Sequence, residues 1–301
     1  MGEGAPQRKW LRGLPVGRLS LSANLLGILL MLASTLFQTT MQASIRAVPD
    51  DLHPFMIVFF RNFLGLMLLI IWHARSLKQV LTTERLKLHG LRGGLQITAM
   101  LMFFTAVTIT PLAQVAAISF TAPLFASLLA IPFLLEKARP RRLFAIGFGF
   151  AGMVLILRPG VEAIDLGPLL VVVASMFWGA TMIVIKVLSR TDSPATITIY
   201  MGFFMTPIAA LVAIPVWVTP NLEQLAWLLF IGLLGTMAQI TLVASFRKAE
   251  ATAVLPFDFF KLIWSSLLGW MAFSELPDIW AWIGGTIIFS STTYLAYREA
   301  K

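Results

Sequence analysis

The sequence predicts an all-α integral membrane protein with ten transmembrane helices, arranged as two inverted repeats of five helices each. Three observations lead to this fold class: an apolar composition, recurring apolar runs long enough to span a bilayer, and short stretches that occur twice. Of the 301 residues, 58% are hydrophobic and only 12% are charged. Soluble domains carry about 25% charged residues, so the composition indicates a chain that crosses the membrane several times.

Apolar runs of about 20 residues, the length that a helix needs to span the hydrocarbon core, recur along the chain. Residues 1–20 precede them and are predicted to be a cytosolic lead. The first run is longer than the apolar region of a signal peptide, which has about 7–15 residues. The ten predicted helices cover residues 21–45, 54–74, 91–109, 112–135, 142–157, 166–189, 195–218, 224–245, 252–273 and 279–297.

The positive charges predict the orientation of these helices. The chain has a net charge of +9. If the N-terminus is cytosolic, the inner loops hold nearly all Lys and Arg residues, and the outer loops keep only Arg46 and Arg158. This asymmetry follows the positive-inside rule and places both termini in the cytosol of a protein of the bacterial cytoplasmic (inner) membrane. The excess of basic residues therefore reflects the membrane topology of the chain. Membrane lipids, and not nucleic acid, are its expected partners.

Two pairs of similar stretches divide the chain into halves. ASTLFQTTM at 33–41 resembles ASMFWGATM at 174–182. Ser-Leu-Leu followed by Glu at 127–136 recurs with the same internal spacing at 266–275. The offset between the two copies is nearly the same in both pairs. Two agreeing offsets in different helices indicate a repeat.

The predicted repeats are residues 21–160 and 161–301, each with five helices. An odd number of helices reverses the orientation of the second copy. Inverted repeats are an architecture of secondary transporters, in which the substrate site lies near the bilayer midplane between the halves.

Longer motifs resemble a known family. They are PLAQVAAISFTAPLFASLLAIPFLLEK (111–137), GFGFAGMVLILRPG (147–160), LPFDFFKLIWSSLLGWMAFSE (255–275) and the helix that contains Gly284-Gly285. Over essentially its whole length the chain resembles the EamA-type branch of the drug/metabolite transporter superfamily. The resemblance implies a transporter of a small organic metabolite, such as an amino acid, vitamin, nucleoside or drug-like compound.

Two details of the second half bear on this resemblance. PFDFFKLIW is similar to members described as vitamin or S-adenosylmethionine uptake transporters. The family proline that Pro123 matches is Leu262 in the second half, and a proline occurs earlier as Pro256.

Asp258 and Lys261 are the first candidate site residues. They interrupt the apolar run 255–276, and a charge at membrane depth costs at least about 2.5–3.5 kcal/mol on insertion scales. At positions i and i+3 they share a helix face and can neutralise each other. They either line a substrate path or form a structural ion pair. Pro256, which weakens the helix locally, favours the path.

Arg61 is the second candidate. It lies about seven residues into the second predicted helix, roughly 10 Å from the outer end. It resembles a recurrent arginine of the EamA-type branch. Its guanidinium could extend to the outer interface, bind a helix carbonyl, or hold an anionic group of the substrate.

Five further residues could form a pocket with the charged ones if the first, sixth, eighth and ninth predicted helices surround a cavity: Phe37, Gln38, Trp178, Gln239 and Trp264. For the aromatic residues, core packing or a lipid-facing position is the simpler alternative. The glutamines need a partner or water, because an unpaired amide in hydrocarbon is costly. Such a pocket would stack planar or apolar groups.

Two other patterns favour structural roles. Gly147-x-Gly149-x-x-Gly152 lies in an apolar helix without a preceding strand, so small-residue helix packing is expected instead of dinucleotide binding. Glu136 and Glu275 follow helix C-termini, where negative charge is unfavourable. We expect backbone amides or a basic residue of the next helix to hold them.

A secondary transporter that works by alternating access is therefore the predicted function, with export or exchange expected first and uptake of a vitamin or S-adenosylmethionine as the alternative. An integral-membrane enzyme is the alternative from another class, but no catalytic residue set or cofactor motif supports it. No metal site is expected, because the chain has no Cys and three scattered His. A channel is a further alternative, but the sequence has no motif that resembles a selectivity filter built from rings of ligands. A small-molecule substrate is the expected partner, and a homodimer is one option for the oligomeric state.

Overall fold

All regular secondary structure in the described part of the chain is helical. A computed structural model describes residues 16–48, 52–135, 140–158, 165–249, 254–276 and 278–299. Its α-helices are α1 Val16–Ala47, α2 Pro54–Trp72, α3 Leu77–Val80, α4 Leu86–Ile109, α5 Leu112–Ser119, α6 Ala122–Leu134, α7 Pro140–Leu157, α8 Leu166–Leu188, α9 Pro194–Ala213, α10 Leu222–Lys248, α11 Phe260–Phe273 and α12 Ile279–Glu299. Short 3₁₀ segments occupy Ile214–Val216 and Leu255–Phe259.

Capping residues set the starts of several long helices. The His53 Nδ1 atom accepts a hydrogen bond from the Phe55 amide at 3.2 Å, and Pro54 follows His53 as the first residue of α2. Proline suits this position because its missing N–H has no intrahelical partner there. Asn221 and Gln224 form a reciprocal capping box at the start of α10. These starts lie within a few residues of the predicted ones.

Eight stretches of the described chain are long and apolar enough to cross a membrane. They comprise Leu25–Ala47 of α1, the helices α2, α4, α7 and α8, most of α10, the pair α5–α6, and α9 with its 3₁₀ extension. The chain is therefore a multi-pass membrane protein. The ninth and tenth predicted helices correspond to Leu255–Phe273 and to α12, and their status as spans stays a prediction.

Two predicted helices are interrupted at equivalent positions. The predicted span 112–135 is present as the candidate span Leu112–Leu134, but it is not one continuous α-helix, because Phe120 and Thr121 separate α5 from α6. Pro123 lies in the first turn of α6, where a proline needs no hydrogen-bond partner. In the ninth predicted helix, a 3₁₀ segment ends at Phe259, and α11 begins at the next residue. The offset from Phe120 to Phe259 is the same as that between the two Ser-Leu-Leu…Glu stretches.

The ends of these interrupted helices also match. Leu135 after α6 and Ser274 after α11 both adopt left-handed backbone conformations, with φ of 55° and 54°. The two residues are related by the same offset in the sequence. Non-glycine residues rarely adopt this conformation, so its occurrence at both helix ends is strong evidence for a structural repeat.

Helix packing follows the same relationship. The helix α1 packs along α10, and α4 packs along α8. Because α1 corresponds to α8 and α4 to α10 in the repeat, each contact is the counterpart of the other. The helices α2 and α9 pack on each other, as do α7 and α12, and each of these pairs contains one helix from each half.

Glycines bring α7 and α12 close together. A Cβ atom added at Gly152 would lie 2.8 Å from the carbonyl oxygen of Gly284, and one at Gly149 would overlap Leu124. The predicted packing role of these glycines is confirmed. For Gly147 it is wrong, because this residue is exposed and a Cβ there would meet no atom within 4 Å.

Candidate functional site

Arg61 projects between three other helices. Its Nη1 atom lies 3.4 Å from Asn62 Oδ1 and 3.9 Å from Met100 Sδ of α4. A Cβ atom at Gly235 of α10 would lie 3.1 Å from Arg61 Nε and 3.0 Å from Met41 Sδ of α1. The side chain keeps partial exposure despite these neighbours. Within the described residues, no carboxylate is in ion-pair contact with Arg61.

Asn62 is a polar residue of this region that sequence analysis missed. It is buried, and its Nδ2 atom donates a hydrogen bond to the Val58 carbonyl at 2.8 Å. The same Nδ2 atom lies 3.4 Å from Met100 Sδ. This arrangement leaves Oδ1 directed to Arg61. A buried amide next to a membrane-embedded arginine was the signal available in the sequence.

Three predicted pocket residues lie one helical turn from the contacts of Arg61. Phe37 and Gln38 precede Met41 by four and three residues on α1, and Gln239 follows Gly235 by four residues on α10. Phe37 and Gln38 are partly exposed, and Gln239 is exposed. They therefore lie about one turn along α1 and α10 from residues close to the guanidinium, without a direct contact to it in the described structure.

Trp178 of α8 is linked to this region through α4. Its ring centroid is 4.8 Å from that of Phe103, which is buried and follows Met100 by three residues. The Phe103–Trp178 pair therefore lies one turn along α4 from the methionine that contacts Arg61. We call the set Phe37, Gln38, Arg61, Asn62, Met100, Phe103, Trp178 and Gln239 the arginine region.

Asp258 and Lys261 form a second group, with Trp264. The Lys261 Nζ and Asp258 Oδ1 atoms are 2.6 Å apart, and the side chains are 21% and 24% exposed. The predicted contact between the two charges is confirmed. Trp264 follows Lys261 by one turn, and its Nε1 atom is buried without a hydrogen-bond partner among the described residues. The 3₁₀ segment with Asp258 packs against α1.

Glu275 is held by groups from the first half of the chain. Its Oε1 atom is 2.5 Å from Arg46 Nη2, and its Oε2 atom accepts a hydrogen bond from the Leu112 amide at 3.1 Å. Arg46 also donates to the Thr110 carbonyl at 2.6 Å. The expected backbone amide is confirmed, whereas the basic partner comes from α1 and not from the next helix. Glu136 lies outside the described residues.

A small cavity of about 50 Å³ adjoins this network, which is enough room for one or a few waters. Its lining combines the start of α5 with the end of α11: Pro111, Ala113, Gln114, Ser265, Ser266, Gly269, Glu275, Leu276, Asp278 and Ala281. The Ser265 hydroxyl is buried without a hydrogen-bond partner among the described residues. A water in this cavity would satisfy it.

A second polar network lies at the other end of α4. Asp192, in the turn between α8 and α9, accepts hydrogen bonds of 2.7 Å from Thr83 and from His89 Nε2. His89 stacks on Tyr200, with ring centroids 4.7 Å apart, and the Tyr200 hydroxyl donates to the Leu81 carbonyl. Sequence analysis missed this network because its members lie in segments far apart in the chain.

The environment of Asp192 favours its ionised form. Burial by itself raises the pKa of the Asp192 carboxyl, but hydrogen bonds from Thr83, His89 and Thr191, together with the charge of His89, more than offset it. The net result is a pKa below the ordinary value.

Comparisons with known proteins agree with the membrane fold. The EamA-like transporter family matches the chain twice, over residues 25–158 and 165–297. A solved crystal structure with 19% sequence identity has a TM-score of 0.58, with 94% of this chain and 100% of that chain covered. At this identity, the likeness shows the fold alone.

Several curated relatives are bacterial transporters. A riboflavin transporter of Vibrio cholerae is 34% identical over 229 residues, covering 75% of this chain and 76% of the relative. A riboflavin transporter of Brucella anthropi is 30% identical, with 81% and 88% covered. An S-adenosylmethionine uptake transporter of Rickettsia bellii is 32% identical, with 83% and 86% covered. With two matches that span most of its length, the chain belongs to the EamA-like transporter family.

Proposed function

We propose that this protein is a secondary transporter that moves a small heteroaromatic metabolite across the inner membrane by alternating access. The arginine region is the observation that carries the proposal. It combines a guanidinium, amide groups and aromatic rings from four helices, α1, α2, α4 and α10, with Trp178 of α8 beside them. Phe37 and Trp178 are partly exposed and pack against the buried core, and Arg61, also partly exposed, contacts Met100 of α4. Side chains that line an internal space have this combination of features.

Two inverted five-helix repeats are part of the proposal. The matching helix interruptions at Phe120 and Phe259, and the matching left-handed residues Leu135 and Ser274, support the repeat. Five helices in each half would give the second copy the opposite orientation. The substrate site would then lie where the repeats meet, as in other transporters with inverted repeats.

Polar networks at both ends of α4 supply contacts that could open and close. Near Thr110, the Arg46–Glu275 ion pair joins α1 to the segment after α11. Near the start of α4, the His89–Asp192 pair joins α4 to the turn between α8 and α9. Each network links the first half of the chain to the second. Alternating access requires that one network opens while the other stays closed.

The names of the relatives and the aromatic residues favour a heteroaromatic substrate. Riboflavin and S-adenosylmethionine, named for the relatives, both contain a planar nitrogen heterocycle. The Phe103–Trp178 pair beside the arginine region could stack on such a ring, because aromatic side chains favour offset or tilted ring contacts. A guanidinium offers five N–H donors to the carbonyl and ring-nitrogen acceptors of the heterocycle.

Exchange or facilitated diffusion is the proposed mode of transport. Asp258 is the sole proton carrier that the sequence predicts, and its carboxylate is engaged by Lys261 at 2.6 Å. Glu275 is engaged by Arg46 in the same way. Both carboxylates are therefore occupied by a cationic side chain. Transport should therefore persist when the proton gradient is collapsed.

The proposal is tested in two steps. First, the purified protein is screened against a metabolite library for a rise in its unfolding temperature, because a ligand that binds the native state stabilises it. Heterocyclic compounds should dominate the stabilising set. Second, labelled hits are measured for uptake and for efflux in proteoliposomes, with and without an internal counter-substrate and with and without a protonophore.

Each outcome of these measurements has a definite meaning. Efflux or exchange of a heterocyclic hit is the expected result, and uptake alone would replace it with the import alternative. Loss of transport with the protonophore would contradict the proposed mode. If no compound stabilises the monodisperse protein and none is transported, the transporter proposal itself is wrong.

A further inference from the structure

We infer that the charge of Arg61, which no carboxylate of the described residues neutralises, makes the site selective against substrates with a net positive charge, so that the substrate is a planar heterocycle that is neutral or anionic. This inference rests on the proposed function and adds a determinant of specificity to it. It concerns the charge of the substrate, which neither the fold nor the aromatic residues determine.

The Arg61 guanidinium makes only weak polar contacts with the described residues. Its nearest described polar neighbours are the Asn62 amide oxygen at 3.4 Å and the Met100 sulfur at 3.9 Å. Both are long and weak contacts for a group with five N–H donors. Gly235 and Met41 also lie close to this side chain and contribute no negative charge. The guanidinium therefore keeps both its charge and most of its donors for a ligand.

Two other interior cations are paired with carboxylates, whereas the buried Arg92 of α4 donates to the Ile197 carbonyl at 2.5 Å and has no carboxylate partner among the described residues. Lys261 pairs with Asp258, and Arg46 pairs with Glu275. The ion pairs contribute little net potential at the arginine region compared with a single charge. Among the described residues, the arginine region is thus positive and has no carboxylate to receive a cation.

Coulomb repulsion from Arg61 sets the expected size of the discrimination against cationic ligands. In a protein interior with an effective dielectric constant of about 20, a positive group within about 8 Å of Arg61 would be disfavoured by more than tenfold. S-adenosylmethionine carries a sulfonium and a net positive charge, whereas riboflavin carries none. The structure therefore favours a riboflavin-like ligand over S-adenosylmethionine, although relatives with both names are similarly related to this chain.

Competition between ligands of different charge tests the inference. Uptake of labelled riboflavin into proteoliposomes is measured with unlabelled adenosine, S-adenosylmethionine or riboflavin 5′-phosphate as competitors. Adenosine and S-adenosylmethionine share a ring system and differ in charge, as do riboflavin and its phosphate. The proteins are the wild type, Arg61→Gln, Arg61→Lys and the matched control Arg75→Gln, which removes an exposed arginine after α2. Binding of each competitor is also followed by thermal stabilisation.

For the wild type, S-adenosylmethionine should compete at least tenfold more weakly than adenosine. Arg61→Gln should reduce this ratio to about twofold and weaken the phosphate by at least fivefold. Arg61→Lys and Arg75→Gln should keep the wild-type ratio. The Lys variant also controls for misfolding, because it preserves the charge. If Arg61→Gln is not monodisperse, the inference is judged from two other values: the competition by S-adenosylmethionine relative to adenosine in the wild type, and the affinity of the Lys variant for riboflavin 5′-phosphate.

Two results would overturn the inference while leaving the transporter proposal in place. One is a wild-type protein that prefers S-adenosylmethionine to adenosine. The other is a ratio that Arg61→Gln leaves unchanged while riboflavin is transported. If none of the four compounds binds or is transported, the heteroaromatic substrate is wrong and this inference is wrong with it.

Discussion

Phe120 and Phe259 stack on each other, with ring centroids 6.0 Å apart and an angle of 21° between the ring planes. Their offset in the sequence equals that of the Ser-Leu-Leu…Glu repeat, and each lies where its helix is interrupted. Phe289 of α12 contacts both rings. Two equivalent residues can contact each other when they lie close to the axis that relates the repeats. In the proposed inverted repeat, the stacked pair would therefore lie close to this axis.

The first prediction is that the contributions of Phe120 and Phe259 to the stability of the folded protein are coupled. Phe120→Leu and Phe259→Leu should each lower the unfolding temperature. The double variant should lose less stability than the two single variants together, because a mutual contact worth about 0.5–1.5 kcal/mol is removed only once. Thermal unfolding of the four proteins in detergent gives the coupling energy. Strict additivity would show that the stacking contributes nothing. The control cycle combines Phe120→Leu with Phe144→Leu, whose effects should be additive because Phe144 is exposed on α7 and its ring stacks on Phe148.

The sequence was informative where a feature depends on neighbours along the chain. Apolar length predicted the positions of the long helices to within about five residues, and the capping box at Asn221 lies close to the predicted helix start at residue 224. The contact between Asp258 and Lys261 followed from their spacing on one turn. The interruption at Phe120 was missed, because Pro123 is compatible both with an uninterrupted helix that bends and with the start of a new one.

Contacts between distant segments were not predictable in the same way. Glu275 needed a partner, but the choice of Arg46 depends on how α1 packs against α11. The His89–Asp192 pair joins two segments whose proximity in space has no sequence signal. Only the packed structure shows that Arg61 contacts Met100 of α4 and lies close to Gly235 of α10.

The second prediction tests the inversion of the repeats. Arg75 follows α2, and Val218 follows α9 and its 3₁₀ extension; these are the second helices of the two repeats. Because the chain has no cysteine, Arg75→Cys and Val218→Cys each introduce a single reactive thiol. Both positions are exposed. An impermeant maleimide should label Val218→Cys in intact cells and Arg75→Cys only in inside-out vesicles.

Parallel repeats give a different labelling pattern. They would place both loops on the same face, so both cysteines would react in the same preparation. Asp165→Cys, before α8, is the matched control. It should behave like Val218→Cys if the predicted outer loop between α7 and α8 is correct.

The third prediction concerns pH. Since folding lowers the pKa of Asp192 below its ordinary value, about 3.9, the ionised carboxylate stabilises the folded state. This contribution is fully present above about pH 4 and is lost as the pH falls through the lower folded-state pKa. The stability advantage of the wild type over Asp192→Asn should therefore shrink below pH 4. Unfolding temperatures between pH 3 and 7 measure it. Asp165→Asn, at an exposed position, controls for general acid effects; an advantage independent of pH would contradict the prediction.

The fourth prediction concerns the network around Glu275. Glu275→Gln removes the charge that Arg46 pairs with but retains an oxygen that can accept from the Leu112 amide. A hydrogen bond to a charged group contributes about 1.5–3 kcal/mol, so opening at this end should become roughly tenfold more frequent. Gln114→Cys in the adjoining cavity reports the opening. Its labelling by a maleimide should accelerate when Glu275→Gln is added. The control Glu223→Gln changes an exposed residue of α10 and should leave the rate unchanged. An equal rate in all three proteins would show that the ion pair does not restrict access.

The fifth prediction separates a structural from a functional role of Asp258 and Lys261. Removing one partner leaves an uncompensated charge, which costs about 3–5 kcal/mol for a fully buried pair. With side chains 24% and 21% exposed, we expect about 2 kcal/mol for Asp258→Asn or Lys261→Met alone, because solvent screens part of the charge. The double variant has no unpaired charge, so its stability should return close to that of the wild type. We expect its transport in proteoliposomes to remain low, since the pair is predicted to line the substrate path. Comparing the transport rate with the yield of monodisperse protein distinguishes this outcome from misfolding. A double variant that transports at the wild-type rate would remove the pair from the path and leave Arg61 to recognise the charge of the substrate.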